Sequence, residues 1–213
     1  MDILLYHYWR SSASWRVRWG LELKKIPHKK VAVDLLSAQE KQETYLERNP
    51  AGYLPCLVVG DRSLAESIPV LEWLEENYPE PSLFAGDSFQ RALIRRLAET
   101  INSGTQPLQN LDVIRKISDD KTVQSEWARH WMMRGLGVYE SILRSVNREG
   151  MQFSVSNNPT IADICLVPQC YSALRFQVEL DAFPICKSIY EYALATPECA
   201  ASHPDAFQPN TVN

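Results

Sequence analysis

Hydrophobic spacing divides the chain into two textures. Residues 3–9, ILLYHYW, are rich in aromatic and branched side chains and predict a strand. The next stretch, SWRVRWGLELKK, changes period: Trp15 and Trp19 are four apart, as are Val17 and Leu21, which predicts a helix ended by Pro27. Lys24 and Lys25 fall in its last turn, where cations suit the helix dipole. Gly20 inside this helix costs about 1 kcal/mol relative to Ala, which implies a close neighbour. HKKVAVDL (28–35) alternates as a second strand, and CLVVG (56–60) with RSLA (62–65) predicts a hairpin across Gly60–Asp61. SIPVLEWLEENYP (67–79) predicts a helix capped by Ser67, with Pro69 tolerated in the first turn and Pro79 as the stop. The order is β-α-β-x-β-β-α. Its first crossover makes the first two strands a parallel pair.

YPEPSLFAGDS (78–88), with two prolines and a glycine, reads as a linker, and no strand pattern follows it. Residues 89–117 predict a long helix with Leu93, Leu97, Ile101 and Leu108 on one side and a kink at Gly104 and Pro107. Residues 122–148 predict another helix, carrying Trp127, Trp131, Leu136, Ile142 and Leu143. PTIADICLVPQCYSALRF (159–176) opens with Thr160 and Asp163 at capping-box spacing, and Pro168 is expected to bend or restart it. PICKSIYEYALAT (184–196) predicts the last helix, before a proline-containing tail. The expected organisation is a small α/β domain over 1–79, a linker over 80–88 and an all-α domain over 89–213.

Composition narrows the function. With 22 Lys and Arg against 26 Asp and Glu the net charge is −4, which lacks the basic footprint of a nucleic-acid binder. No run approaches the length of a membrane span, and MDILLYHYW has no basic n-region, so a cytoplasmic location is expected. The five cysteines form no C-x-x-C and the four histidines match no ligand spacing, so buried structural thiols and no metal site are expected.

The candidate chemistry sits at the end of the first strand, in YWRSSASWRVR. Serines before a helix cap it, because their oxygen accepts an orphan backbone N–H. The same place also suits an anion, since a helix N-terminus carries free N–H donors and about half a positive charge. A βαβ…ββα domain with this corner suggests a thioredoxin-like fold. Thiol–disulfide members carry C-x-x-C there, but here the corner is Ser11-Ser12-Ala13-Ser14. A hydroxyl at that place can donate to a sulfur anion arriving on a ligand. Pro55 stands just before the third strand. A cis bond at Leu54–Pro55 has a base rate of only about 5–6%, but such a turn would let Leu54 offer its main chain to an extended peptide. Glu66 and Ser67 open a helix, where the carboxylate either meets the dipole or takes a ligand ammonium while Ser67 takes a carboxylate.

RSSASWRVR (10–18), NPAGYLPCL (49–57), ESIPVLEWLEE (66–76), QPLQNL (106–111), TIADICLVPQ (160–169), RFQVEL (175–180) and SHPDAFQP (202–209) together resemble the zeta-class glutathione transferases, the family that includes maleylacetoacetate isomerase. The resemblance covers essentially the whole chain and implies a thioredoxin-like N-terminal domain followed by an all-α domain. It implies glutathione as cofactor, no metal, and a homodimer that acts on a small dicarboxylate or electrophilic substrate. Ser11, with Ser12 beside it, matches the hydroxyl that meets the glutathione sulfur. Leu54 before a cis Pro55 matches the clamp on the cysteinyl part, and Glu66 with Ser67 matches the γ-glutamyl site. Gln106 and Asn110 match polar contacts from the helical domain, and Arg10 and Arg175 match arginines that hold substrate carboxylates. The implied reaction is cis–trans isomerisation of a maleyl diketo acid by thiolate addition, rotation and elimination. The alternatives are conjugation or dehalogenation of small electrophiles such as α-halo acids, and a non-catalytic binding module. Three departures stand out: Ala13 where the family has cysteine, Glu66 where many members have glutamine, and Glu40 where glutamine meets the glycyl end, a role open to Gln39 instead.

Overall fold

A computed structural model describes residues 2–209. The chain forms two compact units. Among the described residues, one unit runs up to Pro81 and takes in the segment 196–209; the other is Ser82–Ala195.

The first unit contains β1 (Ile3–His7), α1 (Ser12–Leu23), β2 (Lys29–Ala32), a 3-10 turn at Gln39–Lys41, α2 (Glu43–Leu46), β3 (Cys56–Val59), β4 (Arg62–Ala65) and α3 (Ser67–Asn77). The strands form one four-stranded sheet in the order β2-β1-β3-β4. β1 is parallel to β2, with Leu5 opposite Lys30, and antiparallel to β3, with Leu5 opposite Leu57. This is the thioredoxin-like arrangement that the element order implied. All four residues of β3 are buried, as a strand covered on both faces requires.

α1 is less amphipathic than its spacing implied: every residue from Ser14 to Leu21 is buried, Arg16 and Arg18 included. A Cβ on Gly20 would collide with the Leu71 side chain of α3, which is the close neighbour the glycine announced. Two local expectations change. Lys24 is not a solvated dipole partner; its buried Nζ donates to Glu75 Oε2 at 2.9 Å, Tyr78 O at 2.5 Å and Pro81 O at 2.9 Å. Ser67 is not the cap of α3 but its first residue, because Glu66, at φ 67° and ψ 124°, occupies the cap position with no side-chain bond.

The second unit is helical: α4 (Ser88–Asn102), a 3-10 turn at Gln106–Gln109, α5 (Leu111–Ile117), α6 (Lys121–Val146), α7 (Ile161–Arg175), a 3-10 turn at Leu180–Ala182 and α8 (Pro184–Leu194). The helix expected over 89–117 is broken rather than kinked. α4 buries Ile94, Leu97, Ala98 and Ile101 and stops at Asn102, and the chain restarts at Leu111 under an Asn110 cap. α7 remains one helix through Pro168 and buries every residue from Ile161 to Cys170.

The C-terminal segment corrects the domain boundary. α9 (Pro197–Ser202) and a 3-10 turn at Pro204–Phe207 belong to the sheet unit, not to the helical one expected over 89–213. Ser202 is what joins them: its Oγ accepts from Trp15 Nε1 at 3.0 Å and its carbonyl accepts from Arg18 Nε at 2.9 Å. Among the described residues no helix is long and apolar enough to cross a membrane.

Candidate active site

The corner between β1 and α1 is a tight turn. Ser11 donates its N–H to Tyr8 O at 3.1 Å, which closes residues 8–11. Ser11 then serves as N-cap of α1, in extended conformation, and its Oγ accepts the Ser14 N–H at 3.1 Å. Capping uses a lone pair and leaves the hydroxyl hydrogen, which meets no acceptor among the described residues. Capping and anion binding therefore do not compete here. Ser14 is different: it is fully buried, and its Oγ takes the Tyr8 N–H at 3.3 Å. Ser12 is the half-buried first residue of the helix, next to the free N–H groups of its first turn.

Leu54–Pro55 is cis. The Leu54 side chain packs in one cluster with Tyr8, Tyr45 and Cys56, with Trp9 against it, so the structure brings this element beside the Ser11 turn. The loop entering it is fixed at Tyr53, whose carbonyl accepts from Tyr45 Oη at 2.6 Å and Asn49 Nδ2 at 2.8 Å. Among the described residues neither the N–H nor the C=O of Leu54 has a hydrogen-bond partner. That leaves an unpaired stretch of main chain just before β3, which an extended peptide could pair with.

Glu66 holds an exposed carboxylate on a backbone that favours glycine, a conformation costing roughly 1–3 kcal/mol and typical of ligand sites. Ser67 is buried beneath it and accepts from Arg16 Nη1 at 3.2 Å, which ties α1 to the start of α3. Of the two residues considered for the glycyl end, Gln39 is exposed and accepts the Asp34 N–H through Oε1 at 2.8 Å, which keeps its amide donors free. Glu40 is buried, and its Oε2 has no partner among the described residues. Arg10 is half-buried with its guanidinium 5.0 Å from the Trp9 ring centroid.

In the helical unit, Gln106 opens the 3-10 turn and is half-buried. Asn110 caps α5 through the Asp112 N–H at 3.4 Å. Arg175 ends α7, exposed, 5.9 Å from the Tyr171 ring centroid. Between Gln106 and Asn110, Gln109 exchanges amide hydrogen bonds with Gln169 at 2.6 and 3.2 Å.

All five cysteines are buried, and burial pushes the Cys56 thiol, nearest the corner, above its ordinary value. A corner that offers a hydroxyl donor and a helix N-terminus, beside an unpaired stretch of main chain, has the groups that could receive a peptide bearing its own thiol. Arg16 supports Ser67 and Arg18 supports the corner from beneath, roles that no motif singled out. Their signal was present in WRVR, where two arginines sit inside an otherwise apolar helix.

Residues 5–82 match the glutathione S-transferase N-terminal domain. Over 203 residues the chain is 37% identical to probable maleylacetoacetate isomerase 2 of Drosophila melanogaster, covering 94% of this chain and 87% of that one. Maleylacetoacetate isomerase from Anaeromyxobacter dehalogenans 2CP-1, solved with GSH in its active site, is 42% identical with a TM-score of 0.87, covering 98% and 97% of the two chains. Maleyl pyruvate isomerase, described as a bacterial zeta-class glutathione S-transferase, is 32% identical with a TM-score of 0.92, covering 97% and 99%. The chain belongs to the glutathione S-transferase family, in the zeta-class group that holds the maleylacetoacetate isomerases.

Proposed function

We propose that the protein is a glutathione-dependent cis–trans isomerase of maleylacetoacetate or a similar maleyl diketo acid, working as a cytoplasmic homodimer. The observation that carries this reading is Ser11, a cap whose hydroxyl hydrogen is still free at the N-terminus of α1. The residues fit glutathione as a peptide ligand. Leu54 would pair with its cysteinyl backbone, Glu66 would take the γ-glutamyl ammonium, and Ser67 its carboxylate. Gln39, rather than the inward-facing Glu40, would take the glycyl carboxylate. Gln106 and Asn110 would add polar contacts.

Glutathione, when bound, supplies a thiolate whose reversible addition to the conjugated alkene lets the former double bond rotate. The protein's task is to make that thiolate the main form near pH 7. A free thiol titrates at about 8.5, and lowering it by about two units is worth roughly 2.7 kcal/mol. Ser11 contributes by donating its O–H to the sulfur, and the N-terminus of α1 adds the field of its unpaired N–H groups. Arg10 and Arg175 hold the substrate carboxylates and favour the negative charge that develops on the conjugated carbonyl.

The test follows the cis-to-trans change of a maleyl keto acid by ultraviolet absorbance, with and without glutathione, for the native protein and Ser11→Ala. Turnover that needs glutathione catalytically and collapses in the variant supports the reading. Tight glutathione binding without isomerisation would overturn it and direct assays to α-halo acids.

A further inference from the structure

Arg18 is fully buried in α1, yet no carboxylate is among its hydrogen-bond partners in the described residues. Nε donates to Ser202 O at 2.9 Å. Nη1 lies 3.1 Å from His7 Nδ1 and donates to Tyr8 O at 3.4 Å, and Nη2 donates to Trp9 O at 3.0 Å. The Phe207 ring lies under the guanidinium, 4.8 Å away, and edges onto His7 at 5.4 Å. Burying a guanidinium without a carboxylate is costly, so a position that keeps one calls for a reason.

The reason lies in which carbonyls it grips. Tyr8 O is also the acceptor of the Ser11 N–H, and Trp9 O belongs to the next residue of the same turn. The fork therefore holds two successive carbonyls of the turn that carries Arg10 and Ser11, while its third donor is tied to the C-terminal segment. Arginine is suited to this because its donors sit in a fixed plane, which a lysine ammonium cannot reproduce. Trp15 braces the same segment, donating to Ser202 Oγ at 3.0 Å and meeting the His203 ring edge-on at 4.8 Å.

We propose that Arg18 is a positioning residue for the isomerase. Backed by the 196–209 segment, it clamps the Tyr8–Ser11 turn so that Ser11 presents its hydroxyl to the bound thiol. This rests on the reading of Ser11 given above. A loose turn would leave the fold intact but aim the donor poorly, since a catalytic hydrogen bond must be held to a fraction of an ångström.

Three variants test it: Arg18→Lys, which keeps the charge and loses the fork; Phe207→Ala, which removes only the backing ring; and Ser11→Ala. Circular dichroism confirms that each is folded. Amide hydrogen exchange is measured without glutathione, and the thiolate absorbance near 240 nm is titrated with glutathione bound. Exchange at the Ser11 amide should quicken about tenfold in Arg18→Lys and less in Phe207→Ala, with the Trp19–Leu21 amides unchanged. The bound thiol should titrate about one unit higher in Arg18→Lys, and at least as far in Ser11→Ala. A folded Arg18→Lys protein with native exchange at Ser11 and a native thiol titration overturns the clamp. An unmoved titration in Ser11→Ala instead overturns the reading of Ser11, and the catalytic role of the clamp with it.

Discussion

Two helix N-termini in this molecule look alike in sequence and differ in what they leave over. At α7, Asp163 accepts the Ser154 N–H at 2.7 Å through one oxygen, and the Thr160 N–H at 2.8 Å and hydroxyl at 2.9 Å through the other. Ser154 is in turn bonded to Tyr139 Oη at 2.9 Å, and all of these groups are buried. At α1, Ser11 accepts one N–H and keeps its proton, half-exposed. Each caps a helix. The first is saturated and dry, so it can only hold structure; the second has a donor in reserve beside water, so it can meet a ligand. What separates a structural cap from a chemical one is the unused hydrogen-bonding capacity and its exposure, not the residue type.

The largest effect should come from emptying the saturated site. Asp163→Ala leaves the buried N–H groups of Ser154 and Thr160 without an acceptor, at about 1–3 kcal/mol each, so denaturant unfolding should show a loss of about 3–5 kcal/mol. Ser11→Ala should do the reverse. Its stability should fall by only about 1 kcal/mol for the cap, while kcat/KM for isomerisation should drop about 10²–10³-fold, as for the loss of one donor to a developing anion. A Ser11→Ala protein that is as active as the native one but much less stable would make the two termini equivalent.

Acid separates the two regions in sign. His7 ends β1 just before the corner, and burial together with the Arg18 charge pulls its pKa down to about 3. A histidine depressed in the folded state stabilises the fold above its unfolded value near 6.5, and that contribution is lost as pH falls toward 3. Between pH 6 and 4 the loss should be about 2–3 kcal/mol, and His7→Gln should flatten that part of the stability profile. Asp163 runs the other way. Burial pushes its carboxyl up against the hydrogen bonds that pull it down, so its contribution is full below the ordinary carboxylate value and declines as pH rises through the folded one.

The α7 terminus was legible in the sequence because a capping box is local: Thr160 and Asp163 are three apart and need no distant partner. The break after α4 was marked by Gly104 and Pro107 for the same reason. The Ser11, Leu54–Pro55 and Glu66–Ser67 segments were legible as motifs, each lying at the junction of two predicted elements. What escaped was non-local. Nothing near Ser202 announces that it will pair with Trp15 and Arg18 some 187 and 184 residues away, so α9 read as a tail. Lys24 was misjudged and Arg18 passed over because cations are rarely buried, and it takes distant partners, Glu75 with the Tyr78 and Pro81 carbonyls for Lys24 and the Tyr8, Trp9 and Ser202 carbonyls for Arg18, to make burial tolerable. The positive φ of Glu66 is set by how β4 meets α3, and a glutamate gives no local hint of it.

The finest distinction lies within the corner itself, between serines three residues apart. Ser14 accepts one N–H, from Tyr8, just as Ser11 accepts one, but it is as buried as Asp163, so it shares the dryness of the α7 cap although it neighbours the reactive hydroxyl. Ser14→Ala removes that acceptor and orphans one buried N–H, which should cost about 1–2 kcal/mol in unfolding experiments. Its kcat/KM should stay within about threefold of the native value, because Ser11 still caps the helix through the residue-14 N–H, which alanine retains. If Ser14→Ala instead lost activity as heavily as Ser11→Ala with no loss of stability, exposure of the hydroxyl would not be what marks the reactive serine. The corner would then act through the serines as a set.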